Sequence, residues 1–459
     1  MSSPVSHKRI NFGLSQRAAQ NSVQDSPWDA LEKLNANLWA PDNPNGLVFL
    51  GVAENTLLHN RISARANKTP AINTTDHLTY GIGPRASPRL RKALIPFFTA
   101  EFDPDKPVSQ KELLILPGGA AVTDVLTWAI CNDGEGIITP APYYTGFKHM
   151  SSLRAGGVLV PARFEGLEGY TGLDDVFDAD MNRKALERSF LRATREGVTV
   201  RGVLISNPHN PLGRCYPAET IREIARFCAR NNLHLISDEI FALSVYHNSR
   251  ATNVTPFVSV LGAGLEDCID SHLVHVMYGM SKDFGATGFR LGVLHSRHEG
   301  LIAAVSSISV FGWVPYAVQD LWADMLEDDQ FLADFKLENR AVLAKHSTIL
   351  RSFLDQHNVP YYSNVHAGVF IWVDLRRYLR GNSALDPASS PVDVNHDQEA
   401  TLFQHFIRAG VVISQGSSFG TEELGWYRIS FAVEEQALNV GLQRLGTCLE
   451  SIENDGKEN

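Results

Sequence analysis

A chain of 459 residues with 44% hydrophobic and 20% charged residues has the composition of an ordinary globular protein, long enough for one large domain and a smaller partner. A net charge of -10 argues against nucleic acid or an anionic membrane as partner, and no apolar run reaches the roughly 18 residues that span a bilayer. Five scattered cysteines (Cys131, Cys215, Cys228, Cys268, Cys448) contain no C-x-x-C pair, which disfavours a disulfide framework and a metal site and leaves them as reduced thiols.

The opening stretch MSSPVSHKRINFGLSQRAAQ lacks an apolar signal core, and the closing DGKEN matches no retention or peroxisomal address, so a cytoplasmic location is expected. The first residues are polar and read as an arm. From about residue 112 short apolar runs alternate with helical patterns: ELLILPGG then AAVTDVLTWAI, RGVLISNP then AETIREIARFCARNN, then LHLISDEI and SHLVHVMY. This alternation predicts an α/β fold with a buried, mostly parallel central sheet and its ligand at the carboxyl ends of the strands. Beyond about residue 315 comes a long amphipathic helix, DDQFLADFKLENRAVLAKHSTILRSFLDQH, followed by a strand VFIWVDL, a polar surface insertion at about 380–396, a helix around ATLFQHFI, the strand WYRISFA and a last helix. The expected division is an N-terminal arm and part of a small α+β domain over 1–75, a large ligand-binding domain over 76–315, and a C-terminal small domain over 316–459.

Chemistry concentrates in SKDFGATGFRLG, residues 281–292, where Lys282 follows a strand-like run and Arg290 lies in a glycine-bearing turn. A nucleophilic lysine must be unprotonated, which burial beside another cation favours, and Arg290 supplies that charge while offering a fork to a phosphate. Taken alone the pair also fits a surface lysine near a structural arginine. Asp238 in ISDEIF sits at the end of a predicted parallel strand, where a buried carboxylate needs a positive partner such as a protonated ring nitrogen. Asn210 in SNPHNPLGR follows the neighbouring strand, either donating its amide to a ligand oxygen or holding a turn before Pro211. In LPGGAAVTD a strand ends in two glycines and a helix begins, exposing free N–H groups and the positive end of the helix dipole as an anion cup. The paired tyrosines of APYYTGF could stack on an aromatic ligand or serve the core.

The order and spacing of these pieces resemble the class I/II aminotransferases, the fold type I enzymes dependent on pyridoxal 5'-phosphate (PLP), and within them the 1-aminocyclopropane-1-carboxylate (ACC) synthase-like branch. The resemblance covers about residues 35–450 and rests on NPNGLVFLGVAENTL, LTYGIGPRASPRLRKAL, ILPGGAAVTD, PAPYYTGF, NPHNPLGR, SDEI, MSKDFGATGFRLG, NVHAGVFIWVDLR and GWYRISFA. It implies an aspartate-aminotransferase-like fold in which Lys282 holds the cofactor as an imine, Asp238 pairs with the pyridine nitrogen, Asn210 contacts the ring oxygen and Tyr144 stacks on the ring. The phosphate then falls to the amides of Ala120 and Ala121, to Ser281 and Arg290, and to Tyr80 from a second subunit, which implies a homodimer with shared active sites. Arg428 is expected to grip the substrate α-carboxylate, with Glu54 and Asn55 lining the substrate side.

Departures from the family pattern cluster around the cofactor. Phe241 stands where a tyrosine usually bonds the ring oxygen, a loss expected to raise the pKa of the cofactor imine. Gly279 replaces a serine and Ala121 a threonine of the phosphate site, which predicts weaker but not abolished retention. Tyr80-Gly81-Ile82 and His149 differ from the ACC synthase pattern of Tyr-His-Gly and arginine and weigh against S-adenosylmethionine chemistry. The expected activity is therefore an amino-acid aminotransferase, with a carbon–sulfur β-elimination lyase of secondary metabolism as alternative, ACC synthase third, and a PLP-fold pseudoenzyme as the non-enzyme reading.

Overall fold

The computed structural model describes residues 14–15, 18–19, 21, 32–68, 72–379, 396–421 and 423–458; all but the last residue of the 380–396 insertion and most of the first 30 residues fall outside them. Twelve strands occur among the described residues: β1 (Val48–Phe49), β2 (Leu113–Leu116), β3 (Gly136–Pro140), β4 (Val158–Ala162), β5 (Val200–Ser206), β6 (His234–Asp238), β7 (Val274–Gly279), β8 (Gly292–Ser296), β9 (Phe370–Asp374), β10 (Val411–Val412), β11 (Ser414–Gln415) and β12 (Trp426–Ser430). Seven of them form one sheet in the order β2-β8-β7-β6-β5-β3-β4. Only β8 runs against its neighbours β7 and β2; the pairs β7-β6, β6-β5, β5-β3 and β3-β4 are parallel.

These strands are apolar on both faces because both faces are covered. Leu114, Leu116, Ile137, Leu204, Ile236, Met277 and Leu294 pack into one buried cluster with Val122, Val125 and Leu126 of the helix Gly119–Ile130. Their alternate neighbours Ile115, Ile138, Val203, Ile205, Leu235 and Val293 point into a second, larger core, as the two-residue period of a strand requires. The helix Pro88–Phe102 starts sharply because Ser87 Oγ accepts from Leu90 N at 3.1 Å with proline in the first turn.

The expected long helix spans Asp329–Gln356, capped by Asp328 accepting from Phe331 N at 2.9 Å. Beyond it β9, β12 and β11 make a small antiparallel sheet, with Arg428 opposite Trp372 in register. The early strand β1 pairs in parallel with β10, so the segment around residue 48 joins the C-terminal part of the chain. No single helix among the described residues is long and apolar enough to cross a membrane.

The topology fixes where ligand chemistry can occur. Residues leaving the carboxyl ends of β2, β3, β5, β6 and β7 all emerge on the same edge. Because β8 is reversed, the residues just before its start emerge on that edge too, and Arg290 is two positions before β8.

Candidate active site

At the end of β2 the chain passes through Gly118 at φ +83° and enters the helix Gly119–Ile130, leaving first-turn N–H groups without helical partners. Ala121 N turns back to Gly118 O at 3.1 Å, so the open donors are those of Gly119 and Ala120. Arg290 lies directly over this turn: a Cβ on Gly118 would come within 2.6 Å of Arg290 Nη2, which donates to Pro117 O at 3.1 Å while Nη1 donates to Thr287 O at 3.1 Å. Arg290 itself adopts φ +52°, a left-handed conformation unusual for a side-chain-bearing residue, and such strain persists where a site demands it. An exposed guanidinium set beside the positive end of a helix, with no carboxylate on it among the described residues, makes a place where an anion is favoured. Ser281 adds a buried hydroxyl with no hydrogen-bond partner.

Close backbone approach brings these pieces together. Gly279 at the end of β7 pairs with Gly292 at the start of β8, and a Cβ on Gly279 would sit 2.5 Å from Leu291 O. A serine at 279 would therefore force β7 and β8 to shift in this chain.

Lys282 follows in the loop after β7. Its Nζ donates to Ala53 O at 2.8 Å, and its pKa is pushed down to about 8 by burial, with Glu54 opposing and the positive charge of Arg428 adding to the drop. Asp238, at the end of β6, is raised to about 7 by burial, against the Ile240 N–H at 3.3 Å and the charge of Lys282. Tyr144 stands edge-on to Phe147 at 5.3 Å between centroids; burial raises its pKa, with the charge of Arg428 opposing.

Arg428, in the middle of β12, is 3% exposed. Nη1 donates to Asn210 Oδ1 at 2.9 Å, Nη2 to Gly51 O at 2.8 Å, and the buried Nε has no acceptor. Phe370 and Phe419 hold the guanidinium at 5.0 and 4.8 Å from their ring centroids, and burial without a carboxylate lowers its pKa to about 10. Phe241 meets Phe370 edge-on at 5.5 Å, so the residue replacing the family's tyrosine buttresses the arginine side of the site.

The other expected residues divide. Glu54 is exposed next to the carbonyl that receives Lys282. Asn55 is 2% exposed and its amide is engaged with Asn339 Oδ1 at 2.9 Å, so it anchors the Ala53–Glu54 segment to the long helix. Tyr80 is 83% exposed and stacks on Trp313 at 5.9 Å, outside the pocket of its own chain.

Three buried groups went unread in the sequence. Glu239 accepts from Ser237 Oγ at 2.9 Å, Ser259 Oγ at 2.6 Å and Val260 N at 2.9 Å. Asp283 accepts from Leu243 N at 2.9 Å, from Ser244 Oγ and from Tyr278 Oη at 3.1 Å. His209 is kept neutral, its pKa driven to about 3 by burial, against a hydrogen bond to the Pro142 carbonyl. Each adjoins a motif residue, Asp238, Lys282 or Asn210, and that adjacency was the one signal in the sequence.

The site holds a carboxylate lacking a cation and two guanidinium groups lacking anions around a weakly basic lysine. PLP fits that donor set: its phosphate would answer Arg290, the helix terminus and the orphan Ser281 hydroxyl, and its ring nitrogen would answer Asp238.

The chain matches the family described as aminotransferase class I and II over residues 47–445. It is 30% identical over 413 residues to the ACC synthase-like protein 1 of Mus musculus, covering 89% of this chain and 77% of that one. It is 31% identical to ACC synthase 3 of Oryza sativa subsp. japonica, covering 91% and 90%. Among solved structures, the Thermus thermophilus aspartate aminotransferase with maleate superposes with a TM-score of 0.71 at 21% identity over 95% of this chain and all of that one. The Thermotoga maritima aspartate aminotransferase gives 0.68 at 19% identity over 95% and 100%, and these two likenesses speak for the fold. The chain is therefore a member of the class I and II aminotransferase family, with the aspartate-aminotransferase fold and a PLP-dependent active site.

Proposed function

We propose that the protein is an aminotransferase that converts an α-amino acid to its 2-keto acid. The observation that carries this reading is Arg428: a buried guanidinium with an unpaired Nε, lying over two aromatic rings, whose charge helps lower a lysine to a pKa near 8. A substrate carboxylate accepts from Nε and a terminal nitrogen together, which fixes two bonds of the amino acid and aims Cα. Bound PLP supplies the carbonyl that captures the amino group and the ring that accepts the electron pair from Cα. Asp238, ionised against the ring nitrogen, keeps that nitrogen protonated. Lys282, once released, takes the Cα proton on its Nζ and holds it close by, while Arg428 and Asn210 prevent the carboxylate from rotating away. Phe370, Phe419 and Tyr144 keep water from the carboxylate end.

The groups whose charges act most on Lys282 are Glu54, Arg428, Asp238 and Arg290. Bound substrate and cofactor would engage Arg428, Asp238 and Arg290, which would leave the lysine as the proton carrier and suits amino-group transfer. Glu54 is the remaining carboxyl. Its exposure beside Lys282, together with relatives named as ACC synthases, supports a second reading in which it protonates a departing β- or γ-substituent, as in carbon–sulfur cleavage.

Tyr80, with Leu78, Ile82, Val310 and Phe311, is more than half exposed, and Tyr80 stacks beside Trp313. A second copy of the chain covering this apolar surface accounts for that exposure and brings Tyr80 to the neighbour's phosphate site.

The test incubates the PLP-loaded protein with a panel of α-amino acids and cysteine S-conjugates. Keto acid with accumulation of the amine form of the cofactor supports transfer; thiol, pyruvate and ammonia in its place support the lyase. Turnover retained by K282A contradicts both.

A further inference from the structure

Lys282 and Asp238 leave different strands, β7 and β6, and each is followed by an irregular loop. Nothing in strand pairing alone fixes the distance between two such loops. Asp283 does. Its carboxyl is fully buried, one residue beyond Lys282, and both oxygens are taken by groups of the other strand's loop or of β7 itself: Leu243 N donates to Oδ2 at 2.9 Å, Ser244 Oγ donates to Oδ1, and Tyr278 Oη donates to Oδ2 at 3.1 Å. On the lysine side the loop is closed by Gly285 N donating to Lys282 O at 3.1 Å and Ala286 N to Met280 O at 3.1 Å. On the aspartate side the loop continues from Ser244 to the entry of β9, where Gly368 N donates to Ser244 O at 2.9 Å and Tyr246 N to His366 O at 2.9 Å. Phe241 in the same loop supports Phe370 beneath Arg428.

We propose that Asp283 is a positioning residue: through Leu243, Ser244 and Tyr278 it sets Lys282 against Asp238 and, through the loop to β9, against Arg428. The inference rests on the PLP-binding role of Lys282. A carboxylate accepts all three donors at once, whereas an amide keeps one oxygen for Leu243 N and Tyr278 Oη and has to turn the Ser244 hydroxyl from donor to acceptor, giving up the charge-assisted bond. A burial-raised pKa of about 7, opposed by those three donors, agrees with a carboxyl retained in the core for its acceptors rather than for its charge. Loss of the clamp lets the two loops slide, and a catalytic lysine displaced by a fraction of an ångström loses rate more than affinity.

The experiment compares wild type, D283N, S244A and Y278F as PLP holoenzymes by pH titration of the bound-cofactor absorbance, by kcat and KM, and by melting temperature without cofactor. The expected result for D283N is a displaced titration midpoint and a kcat lowered roughly tenfold or more with KM within about threefold, and S244A shifts both the same way by less. Lower melting temperatures with unchanged midpoint and kcat would make the role purely structural and overturn the proposal. Should D283N not fold, S244A and Y278F, each removing one hydroxyl, decide the matter by the same criteria. The titration needs no substrate, so an error about the reaction leaves this result readable, while a wild type that shows no bound-cofactor absorbance overturns the cofactor role instead.

Discussion

Arg428 Nη1 donates to Asn210 Oδ1 at 2.9 Å, which ties β12 of the small antiparallel sheet to the loop leaving β5 of the seven-stranded sheet. One hydrogen bond thus joins the residue expected to hold the substrate carboxylate to a residue expected at the cofactor ring. Replacing Arg428 by lysine removes the fork and the aromatic-stacked plane while keeping a charge. R428K is expected to lower kcat/KM for the amino acid by about 10²- to 10³-fold, and N210A by about tenfold, in steady-state kinetics.

Asp238 carries a burial penalty in the cofactor-free protein, and its sign can be tested. A folded-state pKa of about 7 against an ordinary value of 3.8 means that the folded form binds the extra proton between those values, so stability falls as pH rises through that window. D238N removes the penalty. Without PLP the variant is expected to unfold at higher denaturant than wild type at pH 8, by roughly 1 to 3 kcal/mol, and to lose that advantage near pH 4. With PLP the order reverses, because the ring nitrogen loses its partner.

The charge arrangement at Gly118 and Arg290 predicts affinity for inorganic phosphate itself. At phosphate roughly a hundred times its Kd, cofactor-free wild type is expected to gain about 2.7 kcal/mol of stability, read as a higher melting temperature. R290A should keep little of that gain. An equal shift in both proteins would place the anion elsewhere.

Capture of PLP by the cofactor-free protein requires neutral Lys282. Its pKa, lowered from 10.5 to about 8, predicts a capture rate that rises with pH and levels off just above 8. A rate still climbing at pH 10 would show that burial does not lower the lysine in solution.

Restoring the family's serine at 279 is expected to fail. The 2.5 Å approach of its Cβ to Leu291 O forces β7 from β8, so G279S should lose roughly 1 to 3 kcal/mol of stability in denaturant unfolding rather than gain cofactor retention.

The strand-end positions were legible in the sequence because each residue sits at or a few positions past the end of an apolar run: Asp238 directly after LHLIS, Asn210 separated from RGVLIS by three residues, Lys282 separated from SHLVHVMY by three. Period and run length identify such strands without giving their direction, so the reversal of β8 that delivers Arg290 to the shared edge was not readable. Asp283 and Glu239 were passed over for a related reason. Their donors, from Ser244, Ser259 and Tyr278, converge only after folding, and a buried acid cannot be told from an exposed one until its donors are known. The same holds for Phe241, whose ring reaches Phe370 far along the chain.

The most direct test of Lys282 as cofactor anchor is borohydride reduction of the PLP-loaded protein followed by proteolysis and peptide mass mapping. Reduction turns the imine into a stable secondary amine, so the account predicts a pyridoxyl-modified peptide containing Lys282 and its loss in K282A. Modification confined to other lysines, or a Lys282 peptide left unmodified while the cofactor stays bound, would contradict it.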